Sequence, residues 1–231
     1  MKIYGFQKTT LLDYPGHVAA TIFTGGCNFR CPFCHNGGLV LCPDQIRPIE
    51  EEVVLAYLKK RKGILEGVCI TGGEPTLQPD LKEFLRKVKA EGYRVKLDTN
   101  GYNPRITGEI MEEGLADYVA MDVKASLPNY ARAAGCPDLD LSRIRESIGI
   151  LKSGRVSYEF RTTVVKGIHT VEEFDAVGQL LEGSRVYYLQ SFRHSGEVLQ
   201  KGFCAFLPDE MEKIAEMARK YIDKVELRGV E

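Results

Sequence analysis

From His17 onward, short β-branched apolar runs alternate with segments of helical periodicity, and no other feature restricts the fold as much. The runs are His17 to Thr24 (HVAATIFT), Gly67 to Thr71 (GVCIT), Tyr93 to Thr99 (YRVKLDT), Ala116 to Val123 (ADYVAMDV), Val156 to Val165 (VSYEFRTTVV) and Val186 to Gln190. Helical patterns separate them over Ile49 to Lys62, Pro79 to Glu91, Pro104 to Glu113, Leu141 to Lys152 and Val171 to Leu181. The tail adds a helix near Pro208 to Tyr221 and a strand-like VELRG. The first helix has acids early and bases late, as its dipole prefers. The second has Pro79 suited to its first turn and Gly92 to its end.

Strands separated by helices predict βαβ units, a parallel sheet and right-handed crossovers. Six such units fit a partial or open (β/α) barrel, and a doubly wound sheet shares the same linear pattern. The sequence does not choose between them. With 231 residues, 44% of them hydrophobic, the chain suffices for one core. A single domain over 1–231 is expected, with its core at about 17–191 and a helix-and-strand extension at 207–229. Polar and glycine-rich punctuation falls at the C-terminal ends of the strands: CNFRCPFCHN, GGEPT, DTNG, DVK and, less clearly, SFRH. In parallel sheets that edge binds ligands, so these segments are expected to converge.

Three cysteines, Cys27, Cys31 and Cys34, follow the first run at C-x3-C-x2-C spacing. No apolar leader precedes them and no run approaches a membrane span, which predicts a cytoplasmic protein with reduced thiols rather than a disulfide framework. The remaining four, Cys42, Cys69, Cys136 and Cys204, read as small buried hydrophobes, with Cys42 near enough to the cluster to be kept in view. Thirty-one basic against 32 acidic residues give no support for nucleic-acid or membrane-surface partners held by bulk charge. Three soft thiolates in one loop suit zinc or an iron–sulfur cluster. Zinc needs a fourth ligand, for which the loop offers His35 or Cys42. A cluster held by three cysteines leaves one iron open. The cysteines alone do not decide.

Their neighbours do. The loop resembles the C-x3-C-x-aromatic-C motif of radical S-adenosylmethionine (SAM) enzymes, with Phe33 as the aromatic, and Gly72-Gly73-Glu74-Pro75 resembles that family's GGEP motif. CPFCHN, DTNG and MDVK narrow the resemblance to activating enzymes of glycyl-radical enzymes. The opening, GFQKTTLLDYPGHVAATIFTGGCNFRCPFCHN, looks most like an activase of anaerobic ribonucleoside-triphosphate reductase. No cysteine-rich insertion fits between Cys34 and Cys69, so this is the minimal form.

The resemblance implies a partial (β/α)6 barrel of the radical SAM type. It also implies a [4Fe–4S] cluster on Cys27, Cys31 and Cys34, with SAM on the open iron. Gly72 and Gly73 would allow close backbone approach, and Glu74 would face the cofactor's ammonium group. Asp98, Lys124 and Arg161 would line the cofactor pocket, together with Phe33 and His35. Asp98, Thr99 and Asp122 match the ligands of a monovalent cation. At the last strand end His194 is the matching histidine, with Gln190 and Arg193 as neighbours that compete for the place. The implied partners are a glycyl-radical enzyme, through a C-terminal glycine loop, and an electron donor such as flavodoxin or ferredoxin. Rival readings are an activase of the pyruvate formate-lyase type, a small-molecule enzyme similar to a carboxy-deazaguanine synthase, and a non-catalytic zinc or iron–sulfur protein.

Overall fold

The computed structural model describes residues 1–194 and 198–230. Its frame is one eight-stranded sheet in sequential order, β1 to β8. The strands are β1 (Ile3–Thr10), β2 (Ala19–Thr24), β3 (Gly67–Gly72), β4 (Arg94–Thr99), β5 (Tyr118–Asp122), β6 (Ser157–Val164), β7 (Tyr187–Ser191) and β8 (Val225–Arg228). From β2 to β8 every neighbour pairs in parallel, and β1 alone runs antiparallel, against β2. Among the described residues β1 and β8 do not pair, so the barrel stays open. The expected six βα units run from β2 to β7, and the sheet extends past them at both ends.

Helices cover the outside: α1 (Gly37–Leu41), α2 (Glu51–Lys60), α3 (Leu81–Ala90), α4 (Pro104–Glu112), α5 (Leu127–Ala134), α6 (Leu141–Lys152), α7 (Glu173–Leu180) and α8 (Pro208–Arg219). On α3, Leu81, Phe84, Leu85 and Val88 form a buried stripe at helical spacing, and Met211, Ile214, Ala215 and Ala218 do the same on α8. These stripes meet the outward-facing strand residues, such as Ile70, Val95, Leu97, Val119 and Phe160, in the apolar core.

The alternate residues point into the barrel, and there the sequence is polar. Cys69, Lys96, Asp98, Tyr118, Asp122, Glu159 and Arg161 share that inner face through the register Cys69↔Lys96↔Tyr118, Ala120↔Glu159 and Asp122↔Arg161. An inner face of charged residues rather than Val, Ile and Leu is the main departure from a filled barrel. Of the four scattered cysteines only Cys69 is buried; Cys136 is half-buried and Cys42 and Cys204 are exposed, so the expectation of four buried thiols holds for one.

Candidate functional site

One cavity collects the strand ends. β2 ends at Thr24 and releases the loop whose Cys27, Cys31 and Cys34 all line it, with Phe33, His35 and Asn36. β3 supplies Gly72, Gly73 and Glu74, β4 supplies Asp98, Thr99 and Asn100, and β5 supplies Asp122 and Lys124. The sequence could place these groups at one edge of the sheet, and the register brings them around a single space.

The cysteine loop is clamped from two sides. Toward β3, the Gly73 amide donates to the Thr24 carbonyl at 2.9 Å and the Glu74 amide to the Gly26 carbonyl at 2.8 Å. This approach is so close that a Cβ on Gly73 would lie 1.9 Å from the Gly26 carbonyl oxygen, so only glycine fits. On the other side stands the C-terminus of α5. There the Arg30 amide donates to the Ala134 carbonyl at 2.8 Å, and the Cys136 thiol donates to the Asn28 carbonyl at 3.2 Å. Gly135 ends the helix at φ 64°, against the carbonyl of Arg30.

Inside the loop, burial pushes the Cys27 thiol up to about 11 and the Cys31 thiol up to about 12. Each must give up its proton to become a metal ligand. Donors for the resulting charge are in place at Cys27: the Phe29 amide lies 3.3 Å and Asn100 Nδ2 3.7 Å from its sulfur. Neither candidate fourth ligand completes a tetrahedron. Cys42 is exposed, and the His35 ring stacks on Phe192 with centroids 5.4 Å apart. Among the described residues no three His, Cys, Asp or Glu side chains converge as ligands of one metal ion.

Glu74 is occupied by the protein itself. One carboxylate oxygen accepts from the Thr76 amide (3.1 Å), the Thr76 hydroxyl (2.6 Å) and the Thr99 hydroxyl (2.8 Å), and the other from the Asn100 amide (2.7 Å). Burial raises its pKa, and these donors pull against that rise. The carboxylate therefore pins the end of β3 to the end of β4. It does so while lining the cavity, where it was expected to face the cofactor's ammonium group.

Below the cavity wall runs a chain of alternating charges. Lys96 Nζ donates to Asp98 Oδ1 at 2.5 Å, and Arg161 Nη1 to Asp98 Oδ2 at 3.2 Å. The same guanidinium donates through Nε to Asp122 Oδ1 at 2.9 Å, and Lys124 Nζ donates to Asp122 Oδ2 at 3.1 Å. Burial opposes ionisation of both aspartates. The neighbouring cations nevertheless hold Asp98 and Asp122 below the usual carboxylate range, and the same pairing keeps Lys124 and Arg161 charged.

Three expectations change. Arg161 is 13% exposed and paired, as its place in a strand required, but it reaches the cavity through Asp98 and Asp122 rather than standing on its wall. The Thr99 hydroxyl lines the cavity while donating to Glu74 and accepting from the Gly101 amide. His194 is exposed and outside the cavity. Beyond β7 the residue that turns inward is Phe192, 3% exposed, and it meets His35 in place of a histidine. The sequence reading also missed Asn100, Asn36 and Lys96. Asn100 contacts Cys27, Asn28 and Glu74, and Asn36 Nδ2 donates to the Gly72 carbonyl at 2.9 Å. Both asparagines stand in motifs already noticed, DTNG and CHN, whereas Lys96 carries no motif signal.

The family model described as the Radical SAM superfamily matches residues 21–181. A provisionally named glycyl-radical enzyme activating enzyme of Methanocaldococcus jannaschii is 30% identical, over 99% of this chain and 96% of its own length. The pyruvate formate-lyase-activating enzyme of Clostridium pasteurianum is 31% identical over 53% of this chain and 52% of its own. Among solved structures, Streptococcus suis SuiB bound to S-adenosylmethionine superposes with a TM-score of 0.65 at 15% identity, covering 89% of this chain and 49% of SuiB.

The chain's own groups fit the cofactors of that family. Three thiols, with no fourth protein ligand beside them among the described residues, share a wall with two close-packed glycines, and amide donors point at Cys27. The Lys124 ammonium stands on the same wall, suited to an anionic cofactor end. The protein is thus an enzyme that uses a [4Fe–4S] cluster and SAM, and it belongs to the radical SAM superfamily.

Proposed function

We propose that the chain, acting as one radical SAM domain over 1–231, generates a glycyl radical on a partner enzyme, namely anaerobic ribonucleoside-triphosphate reductase. Three thiols and, among the described residues, no fourth ligand on the wall of a barrel that stays open between β1 and β8 are the observation that carries this reading. An open mouth admits a segment of another protein, where a closed eight-unit barrel leaves a smaller entrance. Similarity to an activating enzyme along nearly the whole chain supports the same substrate class.

When bound, the reduced cluster and SAM would supply one-electron cleavage of a carbon–sulfur bond and, through it, hydrogen-atom abstraction from a glycine Cα. The chain's residues do the rest by placement. Cys27, Cys31 and Cys34 would hold the cluster by three thiolates. Gly72 and Gly73 let the backbone approach the methionine end, and Lys124 meets its carboxylate. Phe33 and the His35–Phe192 stack wall off water. Asp98 and Arg161 hold the wall in register from beneath. Hydrogen-atom abstraction of this kind would require no general acid–base pair from the chain. Reducing equivalents come from a small carrier such as flavodoxin or ferredoxin, and the reaction takes place in the cytoplasm.

The test is anaerobic incubation of the reduced, cluster-loaded protein with SAM and the reductase, followed by electron paramagnetic resonance. A glycyl-radical doublet that requires all three components is expected. A doublet on a formate-lyase type enzyme but not on the reductase would move the partner assignment. SAM cleavage without a doublet on either would place the protein among small-molecule enzymes.

A further inference from the structure

The resemblance implies an exchangeable monovalent cation on Asp98, Thr99 and Asp122, and the structure does not fit one. The Thr99 hydroxyl donates to Glu74 at 2.8 Å and its oxygen accepts from the Gly101 amide at 3.1 Å, so one lone pair at most is left, and it is the charges beside it that oppose a cation. Asp98 already faces two cations, Lys96 at 2.5 Å and Arg161 at 3.2 Å. Asp122 faces Arg161 at 2.9 Å and Lys124 at 3.1 Å. The next carboxylate inward, Glu159, is paired by Arg228 at 3.0 Å. Lys96, Lys124, Arg161 and Arg228 thus stand against Asp98, Asp122 and Glu159, so each of these carboxylates already has a cation of the protein beside it. An added cation would sit against like charges in a region of low dielectric.

Lys96 is the unusual member. Its ammonium lies inside the barrel at 2% exposure, with Asp98 and, at 3.9 Å, the Cys69 sulfur as its partners. A lysine this deep is normally penalised, and the side chain is retained only where a carboxylate needs it. Burial lowers its pKa, and Asp98 more than reverses that. An ammonium and a potassium ion carry the same charge in similar volumes.

We propose that the Lys96 ammonium is a built-in replacement for the exchangeable cation, a positioning residue that fixes the Asp98 carboxylate at the cavity wall so that SAM binds without potassium or sodium. The proposal rests on SAM occupying this cavity and is independent of which glycyl-radical enzyme, if any, is the partner.

The experiment compares SAM affinity of the cluster-loaded protein in potassium, sodium and tetramethylammonium salts at equal ionic strength, for the unaltered chain, Lys96→Ala and Lys96→Gln. The unaltered chain should vary by no more than about twofold among the salts. Lys96→Ala should lose roughly tenfold in tetramethylammonium and recover most of it in potassium, a response that general destabilisation does not produce. Lys96→Gln keeps the length without the charge; it should lose affinity similarly and recover less, because its amide fills the space. A tenfold or greater dependence of the unaltered chain on potassium or sodium overturns the proposal. So does a folded Lys96→Ala protein that binds SAM normally or responds to no ion. If neither variant folds, the salt comparison on the unaltered chain decides. Failure to form a glycyl radical with every partner would refute the proposed function and leave this inference standing.

Discussion

Replacing Glu74 by glutamine separates two roles for the same side chain. The carboxylate accepts four hydrogen bonds, from the Thr76 amide and hydroxyl, the Thr99 hydroxyl and the Asn100 amide. Glutamine has one oxygen to offer. If that oxygen keeps the Thr76 and Thr99 contacts, the new NH2 group faces the Asn100 amide, donor against donor. A buried unsatisfied donor costs about 1–3 kcal/mol, and the bonds that survive lose their charge assistance. Part of this is returned, because the neutral side chain no longer bears the desolvation that raises the Glu74 pKa. The net expectation is a loss of about 1–3 kcal/mol. For a chain of this size each kcal/mol lowers the unfolding midpoint by roughly 2–4 °C, so the metal-free variant should melt several degrees early. Differential scanning calorimetry of the metal-free protein, with no SAM present, measures this directly. A variant that melts with the unaltered chain but binds SAM weakly would refute the scaffold role and restore the carboxylate as a direct partner of the cofactor.

Two further outcomes follow from the same geometry. Gly135→Ala puts a Cβ against the Arg30 carbonyl at φ 64°, where a side chain costs about 1–2 kcal/mol before the clash is counted. Because Ala134 and Gly135 brace the cysteine loop, iron content after anaerobic reconstitution should fall while far-ultraviolet circular dichroism stays native; full iron loading would show that α5 does not brace the loop. The pH dependence of the metal-free protein has a definite sign. Asp98 and Asp122 have folded-state pKa values below their unfolded ones, so their stabilisation is present above about pH 4 and is lost as pH falls further. Asp122→Asn should lower stability near neutrality and flatten the decline below pH 4 seen in chemical denaturation. A decline as steep as that of the unaltered chain would place the acid sensitivity elsewhere.

The charge chain also explains why this barrel tolerates a polar interior. Asp122 and Arg161 are register partners, and Lys96 stands two residues before Asp98 on the same face of β4. Each ion therefore meets an opposite one across a strand pair or along a strand, which is the condition under which buried charges persist. Removing one member strands its partners, so single substitutions here should cost more than their exposure suggests.

The sequence by itself determined what depends on local pattern. Alternating strands and helices from His17 to Gln190, the cysteine loop and the GGEP, DTNG and MDVK strand ends were all legible, because period, glycine punctuation and thiol spacing are properties of neighbouring residues. The edge strand Ile3–Thr10 escaped because its stability comes from backbone pairing with β2 rather than from an apolar pattern. Helix Leu127–Ala134 escaped because it is short and is held by distant contacts, with Glu173 accepting from the Ser126 amide and hydroxyl at its start and Arg30 donating to its last carbonyl. Only the tertiary structure could decide which groups share the cavity, that Phe192 rather than His194 stacks on His35, and that Thr99 donates to Glu74. It alone set Lys96 against Asp98, because that contact depends on the inward face of β4 and on the charges that β5 and β6 bring beside it, which no single stretch of sequence contains.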